Sequence, residues 1–167
     1  RNDVSDSAEG GININGASDV TVSRNHIHHC GQVYKHNSGV TLQNGASACR
    51  VRANVIHDMT RYGITMKMAG HDNLIEHNRV LNTSLETYDT GAIEVTQQDK
   101  EDRSGTRIIG NIVGDTIGYS STEGTPCFLS WSIYLDSFAG GYTVERNVCF
   151  RAQYGGIMFQ GGKDNHV

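Results

Sequence analysis

Apolar and polar residues recur in this chain around a fixed asparagine. The segments VSRNHI, VRANVI, IEHNRV, IIGNIV and VERNVC carry Asn25, Asn54, Asn78, Asn111 and Asn147, and RNDV places Asn2 in the same series. An aliphatic residue stands three before five of them (Val22, Val51, Ile75, Ile108, Val144), and an apolar residue stands two after all six. Each asparagine is followed, after a variable excursion, by a second run of alternating apolar and polar residues behind a small one. These runs are GININ (11–15), GVTLQ (39–43), GITMK (63–67), AIEVT (92–96), SIYLD (132–136) and GIMFQ (156–160). Alternation with period two predicts short strands, and no long stretch shows the i, i+3, i+4, i+7 spacing of a helix.

Successive asparagines lie 23, 29, 24, 33 and 36 residues apart, which fits a coil of about 23 residues with loops inserted into some turns. A repeat of that length, each with its own short strands, predicts an all-β parallel β-helix (solenoid) of about six coils, buried only by stacking on its neighbours. An asparagine at the same turn of every coil hydrogen-bonds to the one above and below, so the six are expected to form a structural ladder. Residues 1–167 read as a single β-helix segment. The series opens on a ladder asparagine and stops at Val167, where the next coil's aliphatic position falls. Both ends therefore read as cut mid-coil, and the rest of its own β-helix is an expected partner.

Composition narrows the picture. Twenty glycines against one proline suit many strands joined by tight turns. A net charge of −4 without a basic, aromatic-interleaved patch argues against nucleic acid as a partner. No apolar run approaches the roughly 20 residues of a membrane-spanning helix. The four cysteines have no metal or redox spacing.

Registering the second strands separates inward from outward positions. Ile12, Val40, Ile64, Ile93, Ile133 and Ile157 form one inward stack, and Ile14, Leu42, Met66, Val95, Leu135 and Phe159 another. Outward stand Asn13, Thr41, Thr65, Glu94, Tyr134 and Met158, then Asn15, Gln43, Lys67, Thr96, Asp136 and Gln160. Such a face of amides and carboxylates suits sugar hydroxyls. Coils about 4.8 Å apart and a two-residue step of about 6.6 Å put the Cα atoms of Glu94 and Asp136 roughly 8 Å apart. Both are expected on a solvated face, at a spacing compatible with a glycosidase carboxylate pair.

ETYDTGAIE (86–94), the ladder Asn111, SIYLDSFAGGYTVERNV (132–148) and GGIMFQGGKDN (155–165) together resemble right-handed parallel β-helix (pectate-lyase-like) proteins related to glycoside hydrolase family 141. The resemblance covers about residues 84–167, and by it Asp89 and Asp136 fall where that family's active-site acids stand. Glu94 occupies the place of a usual Tyr, Ser137 that of a second Asp, and Lys163 that of an Arg. The resemblance implies a right-handed helix acting on a polysaccharide or oligosaccharide and favours Asp89 as the partner of Asp136, whereas strand register favours Glu94, and the acids are ranked Asp136, Asp89, Glu94. An extracellular or periplasmic location follows only from such a substrate.

Lys67, Tyr134, Gln160 and Trp131 are the candidate substrate-binding residues. The insertion at 114–131 carries Tyr119, Phe128 and Trp131, whose rings either stack on sugars or pack the loop down. His28 and His57 occupy equivalent positions in adjacent coils, near His26 and His29, but no carboxylate completes a ligand set in the sequence, so no metal site is expected. A hydrolase needs no cofactor. The alternatives are a polysaccharide lyase, with Ca²⁺ on the acids and Lys67 as base, and a non-catalytic carbohydrate-binding or structural β-helix.

Overall fold

The computed structural model describes residues 1–120, 125–126 and 129–167. Three parallel sheets wrap into a solenoid, and among the described residues there is no helix. The first sheet stacks Asp3–Ser5, His26–His28, Val55–His57, Arg79–Thr83, Ile112–Thr116 and Val148–Ala152. The second stacks Ile12–Asn15, Ser38–Gln43, Tyr62–Lys67, Thr90–Thr96, Ser130–Asp136 and Gly155–Phe159. The third, of five strands, stacks Thr21–Ser23, Arg50–Arg52, Leu74–Glu76, Arg107–Ile109 and Thr143–Glu145. A two-stranded antiparallel hairpin, Tyr119–Ser120 with Thr125–Pro126, stands outside the coils.

The register of the second sheet follows the alternation in the sequence. Ile12 pairs with Val40, Val40 with Ile64, Ile64 with Ile93, Ile93 with Ile133 and Ile133 with Ile157. All of these but Ile157, which is exposed in the last coil, meet Val22, Val51, Ile75, Ile108 and Val144 of the third sheet and Ile27, Ile56, Val80 and Val113 of the first in one continuous core. A coil of 23 residues has too little apolar surface to fold alone, and stacking supplies the missing cover.

Between the third and first sheets the chain turns in two residues at every coil: 24–25, 53–54, 77–78, 110–111 and 146–147. The first of each pair has positive φ, from 53° at Ala53 and His77 to 63° at Gly110. The second is the repeated asparagine. Its Oδ1 accepts both the backbone N–H and the Nδ2–H of the asparagine one coil earlier, as Asn78 does from Asn54 at 3.1 and 3.0 Å. The same pair of bonds joins Asn2 to Asn25, Asn25 to Asn54, Asn78 to Asn111 and Asn111 to Asn147. The other amide hydrogen caps a strand carbonyl, Val51 O in the case of Asn78.

A second polar column, absent from the sequence reading, lies just before the third sheet. Asn73 Oδ1 accepts Cys49 N–H at 3.0 Å, Thr106 Oγ1 accepts Asn73 N–H at 3.2 Å, and Asn165 Oδ1 accepts Tyr142 N–H at 2.9 Å. One column served by Asn, Thr and Asn again leaves no repeating letter to align. Cys30 and Cys49 are buried free thiols and Cys149 a half-buried one; Cys127 and Phe128 lie outside the described residues.

Candidate functional site

The cleft forms where the strands at Tyr62–Lys67, Thr90–Thr96 and Ser130–Asp136 lie side by side. The pairing that sets Ile64 beside Ile93 also brings the Arg61–Tyr62 strand entry alongside the Thr90–Gly91 entry. Arg61 reaches across and donates from Nη1 to Tyr88 O at 3.2 Å and from Nη2 to Asp89 O at 2.7 Å. That clamp holds a turn in which Asp89 has φ 52°. Aspartate tolerates this region better than most residues, and the turn carries its side chain to the cleft rather than continuing the strand.

A cavity of 340 Å³ results, lined by His36, Arg61, Tyr62, Lys67, Met68, Asp89, Glu94, Thr96, Gln98 and Asp136. All three acids from the sequence therefore meet in one cavity, together with Lys67. A further hollow of 210 Å³ shares His36 and Lys67 with it and continues across Thr41, Gln43, Thr65 and Asn13 toward the earlier coils. The surface is thus a groove running along the stack.

Glu94 corrects the expectation of a solvated face. It points outward from its strand yet is 3% exposed, because Tyr62, Arg61 and Tyr134 enclose it. Gly91 N–H donates to its Oε2 at 2.8 Å, and glycine is required there, since a Cβ on Gly91 would sit 2.7 Å from the Tyr134 Cβ. Burial pushes the Glu94 carboxyl up to about 7, against the Gly91 N–H, the Arg61 guanidinium and the Tyr62 hydroxyl, while the Asp136 charge pushes it further up. Alternation predicts direction along a strand. It does not predict what lies over the outward side.

Asp136 is half-exposed at the end of its strand. Its Oδ1 accepts the Ser137 N–H at 2.7 Å and lies 3.1 Å from the Tyr134 hydroxyl, which shares its one proton with Gln160 Oε1 at 2.6 Å. Tyr134 and Gln160 thus brace Asp136 instead of lining the cavity. The Tyr134 hydroxyl is held above the usual phenol range by burial and by the Asp136 charge. Trp131 is 5% exposed and packs on Tyr134 and Tyr154, with ring centroids 4.5 and 5.3 Å apart. It cannot offer a flat face to a sugar, which corrects that expectation; Tyr119 is half-buried in the hairpin.

Among the cleft residues that went unread in the sequence are Arg61, Tyr62 and His36. Tyr62, 1% exposed, has the Arg61 guanidinium 4.6 Å and the Lys67 ammonium 5.3 Å from its ring centre, and its hydroxyl bonds His36 Nε2 at 3.0 Å. Partial desolvation of the ring, with Arg61 and Lys67 nearby, takes His36 down to about 4, so it is neutral at pH 7. Burial, reinforced by Arg61, lowers Lys67 against the pull of Glu94. Among the described residues neither Arg61 nor Lys67 forms a salt bridge. The signal was present in the strand-entry turns, which stack as regularly as the strands themselves.

The histidines also differ from expectation. Asp3, in the neighbouring coil, completes a group with His26 and His28 whose ligand atoms lie within 4.8 Å of one another. Asp89, Glu94 and Asp136 do not gather in that way.

The sequence matches the family model described as the right-handed beta helix region over residues 1–167. No curated protein matches it. Among solved structures, a double mutant of the periplasmic alginate epimerase AlgG is similar, with a TM-score of 0.54 and 16% identity over 99% of this chain. The chain spans 38% of the length of that protein.

Proposed function

Since the chain belongs to the right-handed β-helix family, whose fold alone does not fix an activity, we propose from its cleft that it is a glycoside hydrolase acting on a polysaccharide, with Glu94 as general acid and Asp136 as its carboxylate partner. The observation that carries the reading is Glu94: a carboxyl 3% exposed and raised to about 7 at the wall of a groove, beside a second acid in a more polar setting. Two carboxyls in unlike environments are what glycoside hydrolysis requires, one holding a proton for the leaving oxygen and one attacking or activating water. Asp136 accepts the Ser137 N–H and shares the Tyr134 hydroxyl proton with Gln160, and it lines the cleft. The resemblance to proteins related to glycoside hydrolase family 141 nominates Asp89 and Asp136. The geometry adds Glu94 and gives it the proton-donating role, leaving Asp89, exposed at the turn held by Arg61, to bind substrate.

The groove supports a polymeric substrate, since it continues past the acids over Thr65 and Thr41. Arg61 Nε and Thr65 Oγ1 are buried without a hydrogen-bond partner among the described residues. The structural neighbour is by its name a periplasmic enzyme of alginate, consistent with a carbohydrate substrate met outside the cytoplasm. One observation favours a lyase instead: Lys67 lies in the same cavity with its pKa lowered, as a proton-abstracting lysine requires. The dispersed acids fit Ca²⁺ poorly, because that ion takes 6–8 oxygens in one shell.

The test is release of reducing ends from a panel of polysaccharides by wild type, Asp136→Asn and Glu94→Gln, with and without chelator. Saturated products that survive chelation and vanish in both variants support the hydrolase. Products with the near-ultraviolet absorbance of an unsaturated sugar, lost in Lys67→Ala, establish the lyase. Substrate binding without any product would move the protein to the non-catalytic class.

A further inference from the structure

The outer face of the first sheet carries a second cluster, on a different wall from the cleft. His26 and His28 point outward on either side of the fully buried Ile27. The preceding coil sets Asp3 opposite His26, and the following coil sets His57 opposite His28. The His28 and His57 rings stack with centroids 5.2 Å apart and planes within 3°. Asp3 Oδ2 lies 3.3 Å from His26 Nδ1, and Asp3 Oδ1 lies 3.1 Å from His28 Nε2. Ligands about 2.0–2.1 Å from a tetrahedral Zn²⁺ stand about 3.3 Å from one another; Asp3 meets each ring at that separation, one through each of its oxygens, and the three ligand atoms lie within 4.8 Å of one another. We propose that Asp3, His26 and His28 bind a divalent cation of the Zn²⁺ class, with the fourth position left to solvent.

The atoms behind the ligands carry the argument further. A histidine that ligates through one ring nitrogen needs an acceptor for the other, which fixes its tautomer and orientation. His26 Nε2 is 2.7 Å from His57 Nε2, and His57 Nδ1 is 2.7 Å from Asp58 Oδ2. His28 Nδ1 is 2.8 Å from His29 Nδ1, and His29 Nε2 is 3.9 Å from the same Asp58 oxygen. Asp58 Oδ1 accepts from the Asn82 amide. With the metal on His26 Nδ1 and His28 Nε2, each ligand ring donates its remaining N–H to a second imidazole, and both second imidazoles face one carboxylate. All ring nitrogens are thereby assigned without conflict. A set of outward histidines stacked only by repetition would have no reason to converge on Asp58 from two coils.

The cation would tie the Asp3–Ser5 strand to the His26–His28 strand through side chains, in addition to their backbone pairing. The test is titration of the metal-free chain with ZnCl₂ by calorimetry, alongside unfolding with and without Zn²⁺. One Zn²⁺ per chain is expected, with binding lost in His28→Ala and Asp3→Asn and unchanged in His71→Ala, whose ring pairs with Asp102 on another face. His57→Ala is expected to weaken binding by about 10- to 100-fold, the usual effect of losing an outer partner. Zn²⁺ should raise the unfolding midpoint of wild type and not of His28→Ala. Variant and wild-type unfolding curves in chelator should coincide; if His28→Ala does not fold, His28→Gln serves in its place. Absence of saturable Zn²⁺ binding to wild type, or the same stoichiometry and affinity in the His28 and Asp3 variants, would overturn the proposal.

Discussion

Replacing Glu94 by glutamine should make the protein more stable at alkaline pH while removing the proposed activity. Glutamine keeps the shape and the oxygen that accepts the Gly91 N–H, but carries no charge to desolvate. Burial raises the wild-type carboxyl from its ordinary 4.5 to about 7. Between those values the folded state holds a proton that the unfolded state has released, so stability falls as pH rises through that window. At about 1.4 kcal/mol per pH unit the loss amounts to roughly 3 kcal/mol, complete above pH 7. The variant lacks this contribution. It should match wild type near pH 4 and exceed it by roughly 3 kcal/mol at pH 8, or roughly 6–12 °C in midpoint for a chain of this size. Urea unfolding read by the fluorescence of Trp131, the single tryptophan, measures this directly, since Trp131 lies in the strand beside Glu94. A constant offset between the two pH profiles, or a variant less stable at pH 8, would mean that Glu94 is folded as a compensated anion. The general-acid reasoning would then fail. A gain in stability bought by neutralising an acid would mark Glu94 as kept for function.

Other consequences are open to measurement. If Glu94 is the acid, kcat/KM should fall on the alkaline side with an apparent pKa near 7 in the free enzyme; because the Arg61 guanidinium holds that carboxyl down, Arg61→Gln should move this limb to higher pH, and a limb that stays or moves lower would dissociate Glu94 from it. In the ladder, Asn78→Ala strands the Asn54 N–H and the Val51 carbonyl in the interior, at a cost on the order of 3 kcal/mol; Asn2→Ala, at an exposed position, should cost less than about 1 kcal/mol, and equal losses in urea unfolding would contradict the burial argument.

The fold was legible because its grammar repeats. One asparagine, with aliphatic residues at fixed offsets, was enough to register six strands of the second sheet, and Ile12 through Ile157 pair as alternation requires. The site was only half legible. Alternation identified Glu94, Asp136 and Lys67 as neighbours on one face, but the lid over Glu94 comes from Arg61 and Tyr62, at the strand entry just ahead of the alternating run 63–67. Asp3 escaped notice for a related reason: its contact with His28 is diagonal between coils, and a diagonal partner leaves no periodic mark. Trp131 shows the converse error, in which an aromatic residue beside a candidate acid suggested a platform while its contacts with Tyr134 and Tyr154 make it filler.

The two-residue corner between the third and first sheets separates what must stay constant in this molecule from what is free to vary. Five coils share that corner without insertion, whereas the other connections vary widely, from the two residues of 153–154 to the ten of 97–106 and the thirteen of 117–129. An added residue at 53–54 would turn the outward side chains of the next strand inward, unless the slip were absorbed elsewhere. Lengthening a loop at the opposite corners costs only about 0.6 kcal/mol per doubling. The segments 85–88 and 98–103, which leave out Asp89 and the buried Ser84, Ser104 and Thr106, flank the acids and lie on the permissive side, so variation there offers a route to new substrate preferences on an unchanged stack. A diversification library confined to these two loops should yield mostly folded proteins, and one directed at the asparagine corners should yield few.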